Sequence, residues 1–167
     1  MSKGEGYGDP ISPIAYLASP YTWRGDNVGG EVYARQVENA RYEKACIAAA
    51  LLAEEGEIVY SPIAMAHGMY RAVPALGGSY ETWEAYDKAF LDACGMLYVL
   101  AIDGYTDSVG VREEARKTML SGKVVEVIGL EWFVDGHAVI ERLGYMDRGI
   151  FEETWGEPLE PERGEDE

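Results

Sequence analysis

The segment Asp103–Ala115, DGYTDSVGVREEA, gathers a hydroxyl, a small residue and several carboxylates into one turn of chain. Ser108 and Gly110 stand where a helix should open. Glu114 follows Gly110 by four residues, one helical turn on, and so shares the face of the loop opening. Free N–H groups at a helix start and a Ser hydroxyl suit a phosphate or a sugar hydroxyl. A carboxylate beside them could attack a sugar carbon or stabilise an oxocarbenium ion. The same residues also read as a plain helix start, with Asp107 or Ser108 as N-cap and Glu113 and Glu114 complementing the dipole.

Two further constellations carry chemistry. In WEAYDKAFLDACGMLYVL, Trp83 and Asp87 lie four apart and share one helix face, whereas Asp92 falls on another. A carboxylate there can hydrogen-bond a base or a sugar hydroxyl, or act as an acid with a raised pKa; a solvated Asp beside a packed Trp is the plain alternative. In YLASPYT, Tyr16 falls within an apolar run, and Ser19, Pro20 and Tyr21 form the loop at its carboxyl end. A phenol can orient a carboxylate and an aromatic ring can stack on a base, although Tyr16 also reads as ordinary core. His67 and His137 have no partner in the spacing, and Cys46 and Cys94 lack any CxxC or Cys/His metal pattern. The cysteines read as small buried hydrophobes in a reducing compartment.

The elements that must position these groups follow from the apolar runs. IAYLA (Ile14–Ala18), EIVY (Glu57–Tyr60), MLYVLAI (Met96–Ile102) and VVEVI (Val124–Ile128) read as buried strands. Glu31–Glu55, Tyr80–Ala93 and Gly110–Leu120 read as helices, and Gly136–Leu143 as a short one. Ile63–Ser79 is mixed, since Pro74 and Gly77-Gly78 interrupt helix-favouring residues. Strands and helices alternate with no hairpin signal, which predicts an α/β fold with a parallel sheet covered on both faces. Ligands in such folds bind outside the carboxyl ends of the strands. That singles out Ser19–Gly30, Ser61–His67 and Asp103–Glu114. The sequence has neither GxGxxG nor GxxxxGK[ST], which counts against dinucleotide redox chemistry and P-loop phosphoryl transfer.

The 167 residues suit one domain, and the net charge of −16 argues against holding a nucleic-acid polymer or an anionic membrane by bulk electrostatics. The expected organisation is a loose segment at 1–12, a folded domain over 13–151, and a solvated acidic tail over 152–167, where eight acidic residues face one basic. No run has the pattern of a secretory signal or the length of a membrane span, so the expected location is the cytoplasm.

Taken together, the YLASP strand, Trp83-x3-Asp87 eight residues before Gly95 at the opening of the third strand, and Ser108-x-Gly110-x3-Glu114 resemble the nucleoside 2-deoxyribosyltransferase superfamily. That superfamily includes deoxynucleoside 5′-monophosphate N-glycosidases. The similarity spans about Ile14 to Val127. It implies a flavodoxin-like three-layer sandwich and N-glycosidic bond cleavage or exchange without metal or organic cofactor. By this resemblance Glu114 matches the nucleophile that attacks C1′, Asp87 the residue that engages the base or aids its departure, and Tyr16 the phenol bonded to the nucleophile. Glu113 takes the first role if the loop register shifts by one.

Ser108 matches the nucleotide-cleaving branch, which carries Ser where transferases acting on free nucleosides commonly carry Asp. The expected substrate is therefore a 2′-deoxynucleoside 5′-monophosphate. Base exchange on free deoxynucleosides, a non-catalytic nucleotide-binding module, and another ribosyl conjugate such as NAD are the alternatives. Ser19, Pro20, Tyr21, Trp83 and Gly110 join Ser108 as expected substrate contacts, with Arg24 as a phosphate contact. Gly95 replaces an Asp usual in the family, and the Ser19-Pro20-Tyr21 loop departs from the loops of characterised members. The resemblance also implies a homo-oligomer, for which Tyr70, Trp132, Phe133 and Trp155 are candidate contacts; for Trp132 and Phe133 a place in the core is the other reading.

Overall fold

The computed structural model describes residues 11–23, 30–76 and 80–161; Arg24, most of the N-terminal segment and the last six residues lie outside them. Five strands, β1 (Ile14–Ala18), β2 (Ile58–Tyr60), β3 (Met96–Leu100), β4 (Val124–Trp132) and β5 (Ala138–Tyr145), form one sheet in the order β2-β1-β3-β4-β5. The first four are parallel. Helices α1 (Gly30–Glu54), α2 (Pro62–Ala72), α3 (Tyr80–Ala93), α4 (Val109–Leu120) and α5 (Arg148–Trp155) complete a three-layer, flavodoxin-like α/β fold.

Alternation along the strands sorts the side chains onto two cores. Ala15, Leu17, Tyr98 and Leu100 face Ala48 and Leu52 of α1. Tyr16, Ala18, Leu97 and Val99 face the other way, onto Leu91 of α3, Val111 and Ala115 of α4 and Phe151 of α5. Tyr16 is thus committed by strand parity to the layer that contains α3 and α4.

Three expectations are corrected. Gly136–Leu143 is not a helix: Ala138–Tyr145 runs antiparallel to an extended β4 and makes the hairpin that the alternation had seemed to exclude. Its signal is a period of two, with Ala138 and Ile140 turned inward and Val139 and Glu141 outward. Gly136, at φ +87°, closes the turn, where Phe133 N–H donates to His137 O and Gly136 N–H to Phe133 O. In the mixed segment, α2 starts at Pro62 because Ser61 Oγ accepts from Ala64 N–H at 3.2 Å and proline suits the first helical turn.

The acidic tail is the third correction, because it is docked over its first part. Asp147 caps α5, Phe151 and Leu159 are buried, and Glu157 accepts from Arg112 and Arg116 at 2.8 Å each. Within the segment, buried Leu159, Trp155 packed on the core and a forked ion pair outweigh its composition.

Gly95, the departure noted in the sequence, has a steric cause. A Cβ there would lie 2.0 Å from the backbone oxygen of Ser12, and Gly95 N–H donates to Ile14 O at 2.8 Å. The turn into β3 passes directly against the chain entering β1. Gly95→Ala is therefore expected to destabilise the fold by about 2 kcal/mol or more, measured as a lowered midpoint in urea unfolding. An unchanged midpoint would show that the two segments separate at no cost.

Candidate functional site

The sheet reverses its winding between β1 and β3, and a cleft of about 530 Å³ opens beyond the carboxyl ends of β1, β2 and β3. Each wall comes from a segment that follows a strand. Ser19, Tyr21 and Thr22 come from β1, Ile63, His67 and Tyr70 from α2 after β2, and Ser108, Gly110 and Glu114 from α4 after β3. Trp83 and Asp87 of α3 and Glu38 of α1 close the sides.

The floor contains the central contact. Tyr16 Oη donates to Glu114 Oε1 at 2.8 Å, joining β1 to α4. The Tyr16 ring is fully buried, 5.6 Å from the Tyr60 ring, which stacks on Phe90 at 3.9 Å. Asp87 is near enough to repel charge on both Tyr16 and Glu114. Ser108 caps α4, its Oγ accepting from Val111 N–H at 3.3 Å, and it faces the cleft as well. Glu113 is paired with Arg112 and Arg116 at 3.1 and 2.6 Å, whereas Glu114 binds the phenol.

Of the residues singled out from the sequence, Ser19, Tyr21, Trp83, Asp87, Ser108, Gly110 and Glu114 line this one cleft, with Tyr16 beneath it. Pro20 is buried behind the loop and is not part of the lining. Arg24 lies outside the described residues. Trp132 and Phe133 are exposed on the hairpin, but Trp155 packs on Phe151 at 4.8 Å.

Both histidines have the partners that the spacing did not reveal. His137 pairs with Asp135 and stacks on Phe133 at 4.5 Å. His67 Nδ1 meets Tyr21 Oη at 2.8 Å, and its ring stacks on Tyr42 at 4.0 Å. The only sequence signal for His67 was its place in the segment after the second strand. No group of three His, Cys, Asp or Glu side chains among the described residues is placed to hold a metal ion.

The loop after β1 is braced from behind. Arg41 of α1 is buried and donates to Tyr21 O at 3.3 Å and Thr22 O at 2.8 Å. Gly104, at φ +89°, leaves room for that guanidinium, since a Cβ would lie 2.1 Å from Arg41 Nη2. The loops after β1 and β3 thus meet on one side chain.

Residues 13–130 match the family model described as Domain of unknown function (DUF1937). The chain belongs to that family. No curated protein matches it. The matched region of this DUF1937 chain includes every cleft residue named above, and stops within β4, before the β5 hairpin and α5.

The electrostatics of the DUF1937 cleft are set by burial. Desolvation, opposed by the Tyr16 hydrogen bond and reinforced by Asp87, raises the Glu114 pKa from 4.5 to about 8. Desolvation raises Asp87 from 3.8 to about 6. Two raised carboxyls thus stand together, rather than one raised and one ordinary. Between these values the pair retains one proton and titrates as a unit. Tyr16 is held far above its ordinary range, by burial first and then by the charge of Glu114, so it stays a donor.

A carboxyl whose folded pKa is raised favours folding while protonated, and that contribution is lost as pH climbs through the folded pKa. Stability should therefore decline between pH 4.5 and about 8, by a few kcal/mol at the upper end. Thermal melts across this range should show a decline that Glu114→Gln flattens, while Tyr16→Phe should raise the Glu114 pKa further. A wild-type profile as flat as that of Glu114→Gln would mean the carboxyl is solvated.

Proposed function

We propose that this cleft cleaves or exchanges the N-glycosidic bond of a 2′-deoxynucleoside unit, with a 5′-monophosphate as the first substrate to consider. The observation that carries the reading is the convergence of Tyr16 and Glu114, 98 positions apart in sequence, at 2.8 Å beside Asp87 in one cleft. A buried phenol fixing a carboxylate, with a second carboxyl alongside, suits retaining glycosyl chemistry. The resemblance to the 2-deoxyribosyltransferase superfamily points the same way.

The singly protonated pair supplies both groups that the reaction needs. The pair's one proton, held mainly by Glu114, moves to Asp87; the Glu114 carboxylate so freed attacks C1′ as the bond from C1′ to the base nitrogen breaks, and the proton passes from Asp87 to the departing base, directly or through water. Water, or a second base, then attacks C1′, the ester bond to Glu114 breaks, and the proton lost by the attacking group returns to the pair. Tyr16 O–H offsets the charge on Glu114 whenever it is ionised. No metal or organic cofactor has a part in this scheme.

The opening of α4 supports the 5′-phosphate. Ser108 faces the cleft, and a Cβ added at Gly110 would meet nothing closer than Ser108 Oγ at 3.9 Å, so a ligand can approach the backbone. A second reading, base exchange on free deoxynucleosides, is favoured by a different observation. The described lining has four carboxylates, Glu38, Asp87, Glu113 and Glu114, and neither Lys nor Arg. Such a lining repels a dianion. A homo-oligomer in the cytoplasm belongs to the same proposal, supported by the exposed Trp132 and Phe133 and by unpaired cysteines.

The test is a panel of deoxy- and ribonucleosides and their 5′-monophosphates, assayed chromatographically for free base with and without an acceptor base. Glu114→Gln should lower base release by about three orders of magnitude or more with the fold intact. Undiminished release from that variant overturns the assignment. For the wild type, kcat/KM should peak between the two pair values, about 6 and about 8, because both outer protonation states lack one of the two groups.

A further inference from the structure

Three residues of the cleft lining have a buried polar atom without a hydrogen-bond partner among the described residues: Glu113 Oε2 on α4, whose other oxygen is ion-paired, and, away from α4, Ser19 Oγ and His67 Nε2. Ser19 and His67 are each 7% exposed. A buried donor or acceptor left unsatisfied destabilises the free protein, so such atoms in a cleft lining mark a place that a ligand completes. His67 comes from α2, after β2, and Ser19 from the end of β1, whereas Ser108 and Glu114 come from the chain after β3. Along the strand order, His67, the Tyr16–Glu114 contact beneath the cleft and the α4 opening therefore follow one another. In the glycosidic reading, this order is base, C1′ and 5′ group.

The His67 ring is fixed on both sides. Tyr42 stacks on it at 4.0 Å with an interplanar angle of 18°, and Tyr21 Oη meets Nδ1 at 2.8 Å. Burial and the nearby Arg71 both disfavour the imidazolium, and burial keeps the Tyr21 phenol protonated. A neutral imidazole bears one proton. With the Tyr21 O–H donating to Nδ1, that proton sits on Nε2, the atom left unpaired in the wall. The reverse arrangement would leave the phenol proton without a partner among the described residues.

We infer that His67, positioned by Tyr21 and Tyr42, recognises the base by donating from Nε2–H to a ring carbonyl oxygen, so that the cleft selects oxo-bases over their amino counterparts. This inference rests on the glycosidic reading and adds to it the class of base. Pinning the ring in advance lowers the ordering cost of the contact, and a site built to hydrogen-bond one group rejects the analogue that lacks it.

The experiment compares two pairs that differ at one exocyclic position: deoxyinosine with deoxyadenosine, and deoxyuridine with deoxycytidine, each with and without the 5′-phosphate. In at least one pair the wild type should prefer the oxo member by about tenfold or more in kcat/KM. His67→Phe, which keeps the stack on Tyr42, should bring that ratio near one. Tyr21→Phe should lower it in part. Equal ratios in wild type and His67→Phe, or preference for the amino member, overturn the inference.

Two arms are independent of turnover. Calorimetry on Glu114→Gln with free hypoxanthine, adenine, uracil and cytosine should show tighter binding of the oxo-bases, lost on adding His67→Phe. Nitrogen-15 shifts of labelled imidazole should report the Nε2–H tautomer, and an Nδ1–H tautomer overturns the inference. If no substrate releases base, the glycosidic reading fails, while these two arms still decide His67. A melting scan of each variant identifies any loss of fold.

Discussion

A buried phenol and a partly buried carboxyl group meet on the floor of the cleft where β1 touches α4, and much of the molecule can be read as the means of keeping them there. Burying either group alone would leave a polar atom unsatisfied; bonded at 2.8 Å, they satisfy each other and join two elements far apart in sequence. Strand parity turns Tyr16 toward α4, and Tyr60 and Phe90 stack behind its ring. Ser108 sets where α4 starts, and hence which residue falls one turn later against the phenol. A slip of one residue in β1 would send Tyr16 to the α1 layer and leave Glu114 without its donor.

The surroundings of this contact divide between charge and constraint. Asp87 approaches on α3, so that two acids share a desolvated space and together retain a proton near neutrality. That is an uncomfortable arrangement for stability and a useful one for chemistry, since one group can attack while its neighbour gives up a proton. Constraint is supplied from outside the cleft. Arg41 holds the carbonyls of the β1 loop, Gly104 makes room for it, and Gly95 lets the start of β3 close against Ser12. None of these three residues touches the cleft, yet each limits where its walls can stand.

Much of this could be read from the sequence. The four parallel strands were legible because each is a short apolar run with abrupt polar ends, and the switch-point rule then located the cleft from loop positions alone. Trp83, Asp87, Ser108 and Glu114 were legible because helical spacing is local. Tyr16 could be placed on a strand, but whether it was core or cleft depended on a partner 98 residues away. His67 was not legible as a wall residue: its partners, Tyr21 and Tyr42, come from a loop and from α1, and no periodicity links them. The β5 hairpin was missed because only one face of that strand meets the core, so its apolar content is too low to register as a run. Composition misjudged the acidic tail, in which Trp155 and Leu159 were diluted by charge.

The docked part of that tail changes where the chain can be cut or tagged. Glu157 grips Arg112 and Arg116, two residues to either side of Glu114 and so on the opposite face of α4. The same Arg116 also reaches Glu113 and lies over the Phe151 ring. Trimming the sequence at the end of α5 removes one of two counter-ions from the back of α4 and leaves Arg112 and Arg116 with Glu113 alone. A shortened protein or a C-terminal fusion keeps this clamp only if native residues continue through Leu159.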